Sequence, residues 1–203
     1  NIPVFIGHNI FSPEDAEKML AEGNADFVAL GRSQLAEPAW AKKAKEGRAS
    51  DIKPCINCLI GCIDRGMLSH TPIHCTVNPS LYRFECKPVE KAETRKQVAV
   101  VGAGPAGCEA ALTASKRGHQ VTIYEKRCIG GAMIEASKPE NKANIKRLIH
   151  YYEDHIMHDP NITLVKKEVE YETLVHRGYD AVIIAVGGKT RILNAPGIEK
   201  NSV

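Results

Sequence analysis

No run of apolar residues approaches the roughly 18 that a membrane-spanning helix needs, and the first residues do not have the charged start and apolar stretch of a secretory leader. An excess of one charge is lacking too: 27 Lys and Arg against 24 Asp and Glu leave a net charge of +3, too small to argue for nucleic acid or a membrane surface as partner. There is no block of like charge; Lys42-Lys43 and Lys166-Lys167 read as solvated helix and strand positions. Internal repeats and low-complexity tracts are missing as well. What remains is an ordinary globular mix, 43% hydrophobic and 25% charged, in 203 residues that fit one or two domains.

The residue in excess is cysteine, with seven. An odd number without a secretory leader favours metal or redox chemistry in a reducing cytoplasm over a disulfide framework. The beginning is unusual: Asn1 is not an initiator Met, and Ile2–Ile6 already reads as a buried strand. The expectation is a piece of a larger protein.

Residues 1–47 read strand, helix, strand, helix, the pattern of parallel βα units. A strand over 2–6 ends at Gly7. Ser12-Pro13-Glu14-Asp15 starts a helix, with a Ser cap, Pro at the first position and acids in the first turn, and Gly23 stops it. Asp26–Leu30 is a second buried strand ending at Gly31-Arg32, and Pro38 opens a helix to about Glu46. Residues 52–88 lose periodicity and are rich in Cys, Gly, Pro, Asn and His; a loop of that length needs a reason, and a metal centre would supply one. After the charged connector 89–97, regular structure returns. Strands are expected at 97–101, 120–124, 162–169 and 180–186, and helices at 105–117 and 144–157.

Cys55, Cys58, Cys62 and Cys75 have the spacing C-x2-C-x3-C-x12-C. Three thiolates within eight residues can wrap one face of a compact cofactor, with the fourth arriving from the far end of the loop. Iron–sulfur clusters are commonly held this way. Structural zinc, which more often uses two separated C-x2-C knuckles, is the alternative, and unrelated free thiols are a third. Gly61 is expected to let the loop turn and Pro54 to stiffen its start. Cys108 reads as a small core residue and Cys86 as a plain loop residue rather than a spare ligand. His70 and His74 could replace a thiolate, but four Cys suffice; His150, His155 and His158 read as an exposed helix face.

Gly102-Ala103-Gly104-Pro105-Ala106-Gly107 is G-x-G-x-x-G, with a strand before it, a helix after it, and a second strand ending at the acid Glu125 some 20 residues on. Gly102 permits the tight turn, Gly104 lets the backbone approach a pyrophosphate, and Gly107 lets helix and strand pack closely. The helix start offers N–H groups and the positive end of its dipole. An acid at Glu125 suits an unphosphorylated ribose, hence FAD or NAD; Lys126 beside it is counted with the cofactor-binding positions. Gly130-Gly131 follows the ribose acid, and the strand 181–186 ends at Gly187-Gly188. These spacings resemble flavoprotein reductases with two dinucleotide domains. There a Gly-Gly and an Ala-Thr-Gly strand end lie against FAD; here Val186 stands at the Thr position, a departure at that contact.

The order of a βα pair, a four-Cys loop and an FAD fingerprint resembles the iron–sulfur branch of the old yellow enzyme superfamily, whose members include 2,4-dienoyl-CoA reductase, enoate reductase, bile-acid enone reductases and trimethylamine dehydrogenase. Its most specific pieces are Gly31-Arg32 followed by Ala36-Glu37-Pro38, the Pro54–Cys62 stretch, and Cys75-Thr76-Val77-Asn78-Pro79. The resemblance implies an α/β chain in three parts. Residues 1–50 would be the last two units of an FMN-binding (β/α)8 barrel, 51–90 a [4Fe-4S] loop, and 91–203 an incomplete Rossmann-like FAD domain. It also implies FMN phosphate binding by Gly7, Gly31 and Arg32. NADH or NADPH would reduce FAD, and electrons would pass through the cluster to FMN and an activated C=C bond. No general acid for the substrate is found in this chain. The expected partners are a small unsaturated substrate and the rest of the same polypeptide, with no nucleic acid and no membrane; a homo-oligomer is compatible. The rivals are an amine dehydrogenase of the trimethylamine type, an electron-transfer subunit like the small subunit of glutamate synthase, and a zinc-stabilised nucleotide-binding scaffold.

Overall fold

The computed structural model describes residues 2–81 and 89–188, together with Asn194 and Pro196. Cys86 lies outside the described residues. The first part is a parallel pair, β1 (Phe5–Gly7) and β2 (Phe27–Ala29), connected through α1 (Pro13–Ala21), with Ile6 opposite Val28. The Ser12 hydroxyl accepts from the Asp15 N–H at 3.1 Å, Glu14 and Asp15 lie in the first turn, and Gly23 closes the helix at φ +70°.

The helix expected from Pro38 to about Glu46 is α3 (Trp40–Lys45), and a short helix that the sequence did not announce, α2 (Arg32–Ala36), precedes it. Glu37 between them is extended, at φ −136° and ψ 95°, as the residue before a proline prefers. Both strands were expected to be buried, yet Phe5 and Phe27 are 68% and 50% exposed and stack at 4.7 Å between ring centroids. Parallel strands with continuous apolar runs need cover on both faces; among the described residues α1 packs on β2 and Ile6 and Val28 are half-buried, while the Phe5 and Phe27 face is left open.

The cysteine segment was expected to lack regular structure. It contains a nine-residue π-type helix, Ile60–Leu68, entered through Leu59 at φ +61°. Its wide turns show in the bonds from Asp64 N–H to Leu59 C=O (3.0 Å) and from Ser69 N–H to Asp64 C=O (2.8 Å).

The second part has a four-stranded parallel sheet of β3 (Gln97–Val101), β4 (Gln120–Tyr124), β5 (Ile162–Val165) and β6 (Ala181–Ile184), in the order β5-β4-β3-β6. Its helices are α4 (Pro105–Lys116), α5 (Met133–Ala136), α6 (Ala143–His158) and α7 (Tyr171–His176). Val98, Val100, Val121 and Ile123 of the two central strands meet Cys108, Ala111 and Ala114 of α4 and Leu148, Tyr152 and Ile156 of α6 in one core. Ala36 and Val77 belong to that core, and Cys55, Ile56 and Cys75 pack on it, so the cysteine segment is built onto the sheet domain. β5 is shorter than expected because the Lys167 N–H turns back to Val165 C=O at 2.9 Å. β6 is also short, and it is an edge rather than a buried strand, with Ile184 65% exposed. Among the described residues no helix is long and apolar enough to cross a membrane.

Candidate functional site

β3 delivers the chain to Gly102, whose N–H donates to Tyr124 C=O at 2.8 Å and whose φ is +101°. A Cβ on Gly102 would lie 2.4 Å from Ala185 C=O, and one on Gly107 only 1.9 Å from Gly102 C=O and 3.3 Å from Ala185 Cβ. Ala185 is held there by its N–H bond to Val101 C=O at 2.8 Å. The sequence places Ala185 at the strand end expected against FAD; its packing on Gly102 and Gly107 is what the structure adds. Gly104 differs, because a Cβ there would meet only Gly131 Cα, at 4.0 Å. The space in front of Gly104 is therefore open, at the start of α4, where N–H groups lack intrahelical partners. Gly130 (φ +121°) donates to Ala103 C=O at 2.8 Å and brings Gly131 opposite Gly104.

The Glu125 carboxylate accepts from Ala103 N–H at 2.8 Å and from Arg127 N–H at 2.7 Å. An ionised carboxylate has about four acceptor positions, so capacity remains for ribose hydroxyls. Pro105 and Ala106 are exposed at the helix start. Lys126 projects from the same turn onto Glu168 at 2.8 Å, an exposed pair. Gly187, at φ +73°, is exposed with nothing near its Cβ position. The sheet thus brings together Gly102–Gly107, Glu125 and Gly130-Gly131.

The four cysteines of the spacing motif, all half-buried and free, line one small cavity together with Arg32, Gly61, His74 and Thr76. Gly61 does not make the turn: Asn57 (φ +54°) and Leu59 take the left-handed conformation, and Gly61 instead allows close approach. Its Cβ would be 2.4 Å from His74 C=O, and its own C=O accepts from His74 N–H at 2.8 Å. That contact brings the π-type helix with Cys62 against the segment carrying Cys75. Asn78 fixes the far end by donating to Leu35 C=O at 2.9 Å. The Cys55 sulfur accepts from Asn57 N–H at 3.4 Å, and Cys58 Sγ lies 3.2 Å from the Thr76 hydroxyl. Burial pushes the Cys55 thiol up from its ordinary value, opposed by the Asn57 N–H and the Arg32 charge. Among the described residues no three Cys, His, Asp or Glu side chains converge as ligands of one metal ion would. Four thiols around one cavity are a donor set that fits a polynuclear iron–sulfur centre, which takes each thiolate on a different iron.

Arg32, beside this cavity, donates to Asn9 Oδ1 at 2.9 Å and to Asn57 Oδ1, and lies over the Phe11 ring. Gly7 packs against Ala29 C=O, while Gly31 is open. His8 and Asn9 carry the positive φ values at this strand end. Asn9 and Asn57 were missed by the sequence reading; Asn tolerates that conformation, which was their only signal. Cys108 is buried in the core, with its thiol pushed up to about 12 by desolvation, and Cys128 is exposed. His150 and His158 are exposed as expected, but His155 is half-buried and stacked on Tyr151 at 4.0 Å.

The family model described as pyridine nucleotide-disulphide oxidoreductase matches residues 96–203. NADH oxidase of Thermoanaerobacter brockii is 42% identical over 204 residues, covering 100% of this chain and 31% of that protein. The solved structure of 2-naphthoyl-CoA reductase in complex with 2-naphthoyl-CoA superposes with a TM-score of 0.91 at 33% identity, over 99% of this chain and 31% of that one. Histamine dehydrogenase from Rhizobium sp. 4-9 superposes with a TM-score of 0.85 at 28% identity, over 94% of this chain and 28% of its own. The chain therefore spans about a third of the length of these proteins. The resemblance to the iron–sulfur branch of the old yellow enzyme superfamily is borne out by such relatives.

Proposed function

The chain belongs, over residues 96–203, to the pyridine nucleotide-disulphide oxidoreductase family, and from that premise we propose that it is the junction segment of an NAD(P)H-dependent iron–sulfur flavoprotein that reduces an activated C=C bond. One observation carries the reading: four thiols line a single cavity, and two of them pack on the core from which the dinucleotide fingerprint emerges. In this reading residues 1–50 end an FMN barrel, 51–90 hold a [4Fe-4S] cluster through Cys55, Cys58, Cys62 and Cys75, and 91–203 bind FAD. When bound, these groups would supply a hydride acceptor at FAD, single-electron carriage at the cluster and hydride delivery from FMN.

The residues of this chain bind and orient. Gly104 and Gly131 leave room for a pyrophosphate, with the start of α4 facing it. Glu125 would accept from the adenosine ribose while its bonds to Ala103 and Arg127 keep the carboxylate in place. The N–H of Asn57 and the hydroxyl of Thr76 lie beside thiol sulfurs, where such contacts tune a cluster's potential. Arg32 and Gly31 would take the FMN phosphate, with Asn9 and Asn57 holding the guanidinium. Lys126 and Gly187 are secondary cofactor contacts. A reducing cytoplasm would keep the thiols available for iron.

The support for C=C reduction is the resemblance together with the likeness to 2-naphthoyl-CoA reductase, and the support for NADH is the similarity to NADH oxidase. The likeness to histamine dehydrogenase favours a second reading, oxidation of an amine. Both are tested on the anaerobically purified full-length protein. The expected result is a flavin spectrum with a broad band near 400 nm, iron and sulfide in equal amounts, and bleaching by NADH (roughly four irons per chain). Zinc without colour would overturn the cluster. Bleaching by amines and not by NADH would replace reduction with amine oxidation.

A further inference from the structure

Outside the two cofactor sites, a network of charges and rings joins the cysteine segment to the sheet domain. Lys53, two residues before Cys55 in the sequence, places its ammonium 2.7 Å from Glu109 Oε2 on α4, with the two side chains only 13% and 30% exposed. The Tyr152 hydroxyl of α6 donates to the same oxygen at 3.1 Å. The Lys53 ammonium also lies 5.7 and 5.8 Å from the ring centroids of Tyr151 and Tyr152. On the opposite side, Lys43 of α3 donates to Glu37 at 2.6 Å and to Asp51 C=O at 2.7 Å, and the Lys53 N–H faces Glu37 Oε2. Three helices and the start of the cysteine segment therefore meet through hydrogen-bonded charges.

The position of the pair gives it a consequence. Lys53 is followed by buried Pro54 and then by Cys55. Glu109 lies one turn into the helix whose first residues face the dinucleotide site. A displacement at Lys53 is passed through a stiff proline to a thiol, and a displacement at Glu109 to the phosphate end of the fingerprint. An apolar contact could slide here, whereas a half-buried ion pair with a fixed tyrosine partner admits one register.

We propose that Lys53 and Glu109 are positioning residues that set the spacing between the cysteine site and the dinucleotide site, and so the rate at which an electron crosses between them. The proposal rests on the function argued above. With NADH as the reductant, its hydride would bring two electrons to the flavin, and the cluster would take them one at a time, passing the first on to FMN before accepting the second.

The test uses the full-length holoenzyme with Lys53→Met, Glu109→Gln and the double reversal Lys53→Glu/Glu109→Lys, followed by stopped-flow absorbance after mixing with NADH. The expected single variants keep iron, FAD and the native rate of flavin bleaching, but bleach the cluster band about tenfold or more slowly, and the double reversal regains most of the rate. Amide exchange across residues 53–62 should be about tenfold faster in the single variants and near native in the reversal. Single variants that bleach the cluster at the native rate, or a reversal as slow as they are, overturn the positioning role alone. A native protein without iron overturns the proposed function and this proposal with it.

Discussion

Gly102, Gly104 and Gly107 are small for three different reasons. Gly102 has a positive φ, Gly107 has its neighbour's carbonyl where a Cβ would be, and Gly104 borders open space. Gly107→Ala should therefore destabilise the folded chain by about 3 kcal/mol, because backbone atoms must move. Gly104→Ala should leave the urea midpoint of the apo chain within error while weakening FAD binding by about tenfold or more. Urea unfolding and FAD titration check the pair, and equal loss of stability in both would refute the distinction. Much of the site was legible at this scale, since Gly, Cys and Glu125 at fixed spacings constrain the backbone locally. The contacts of Asn9, Asn57 and Ala185 were not legible: each is made with a neighbour more than 20 positions away in the sequence.

Among the elements, α1, α4 and α6 and the strands β3 and β4 stand close to where capping residues, apolar periodicity and glycine stops place them. The short helices α2, α5 and α7 carry too few residues for a period to show, and the π-type helix departs from the 3.6-residue period, so packing forms them. α4 is tied at its far end by Ser115, a buried residue whose hydroxyl donates to Asp159 at 2.6 Å and accepts from Asn161 at 3.4 Å. Ser115→Ala should cost about 2 kcal/mol, since a carboxylate loses its donor below α6. A change in the urea midpoint with an unchanged slope would register this loss, and no shift would mean that water replaces the hydroxyl.

For the molecule as a whole, the sheet domain and the cysteine segment share one core, while β1 and β2 present the stacked Phe5 and Phe27 to solvent. Contiguous apolar surface of this kind drives association. Produced as these 203 residues, the chain should self-associate with rising concentration, and Phe5→Ser/Phe27→Ser should sediment as a lighter species. Identical sedimentation of the two would remove that face as the cause.

The fingerprint, the order of the parts and the cysteine spacing are properties of the sequence alone, because the physics they express acts between residues near one another in the chain: glycine at a positive φ, an acid at a strand end, thiols on a tight loop. Tertiary structure decided which cysteines share a cavity, that Gly61 serves close approach rather than a turn, that the strands of the first part are exposed, and that Lys53 reaches Glu109. Those outcomes depend on contacts between distant segments, and burial and charge pairing, which settle them, exist only once the chain has closed on itself.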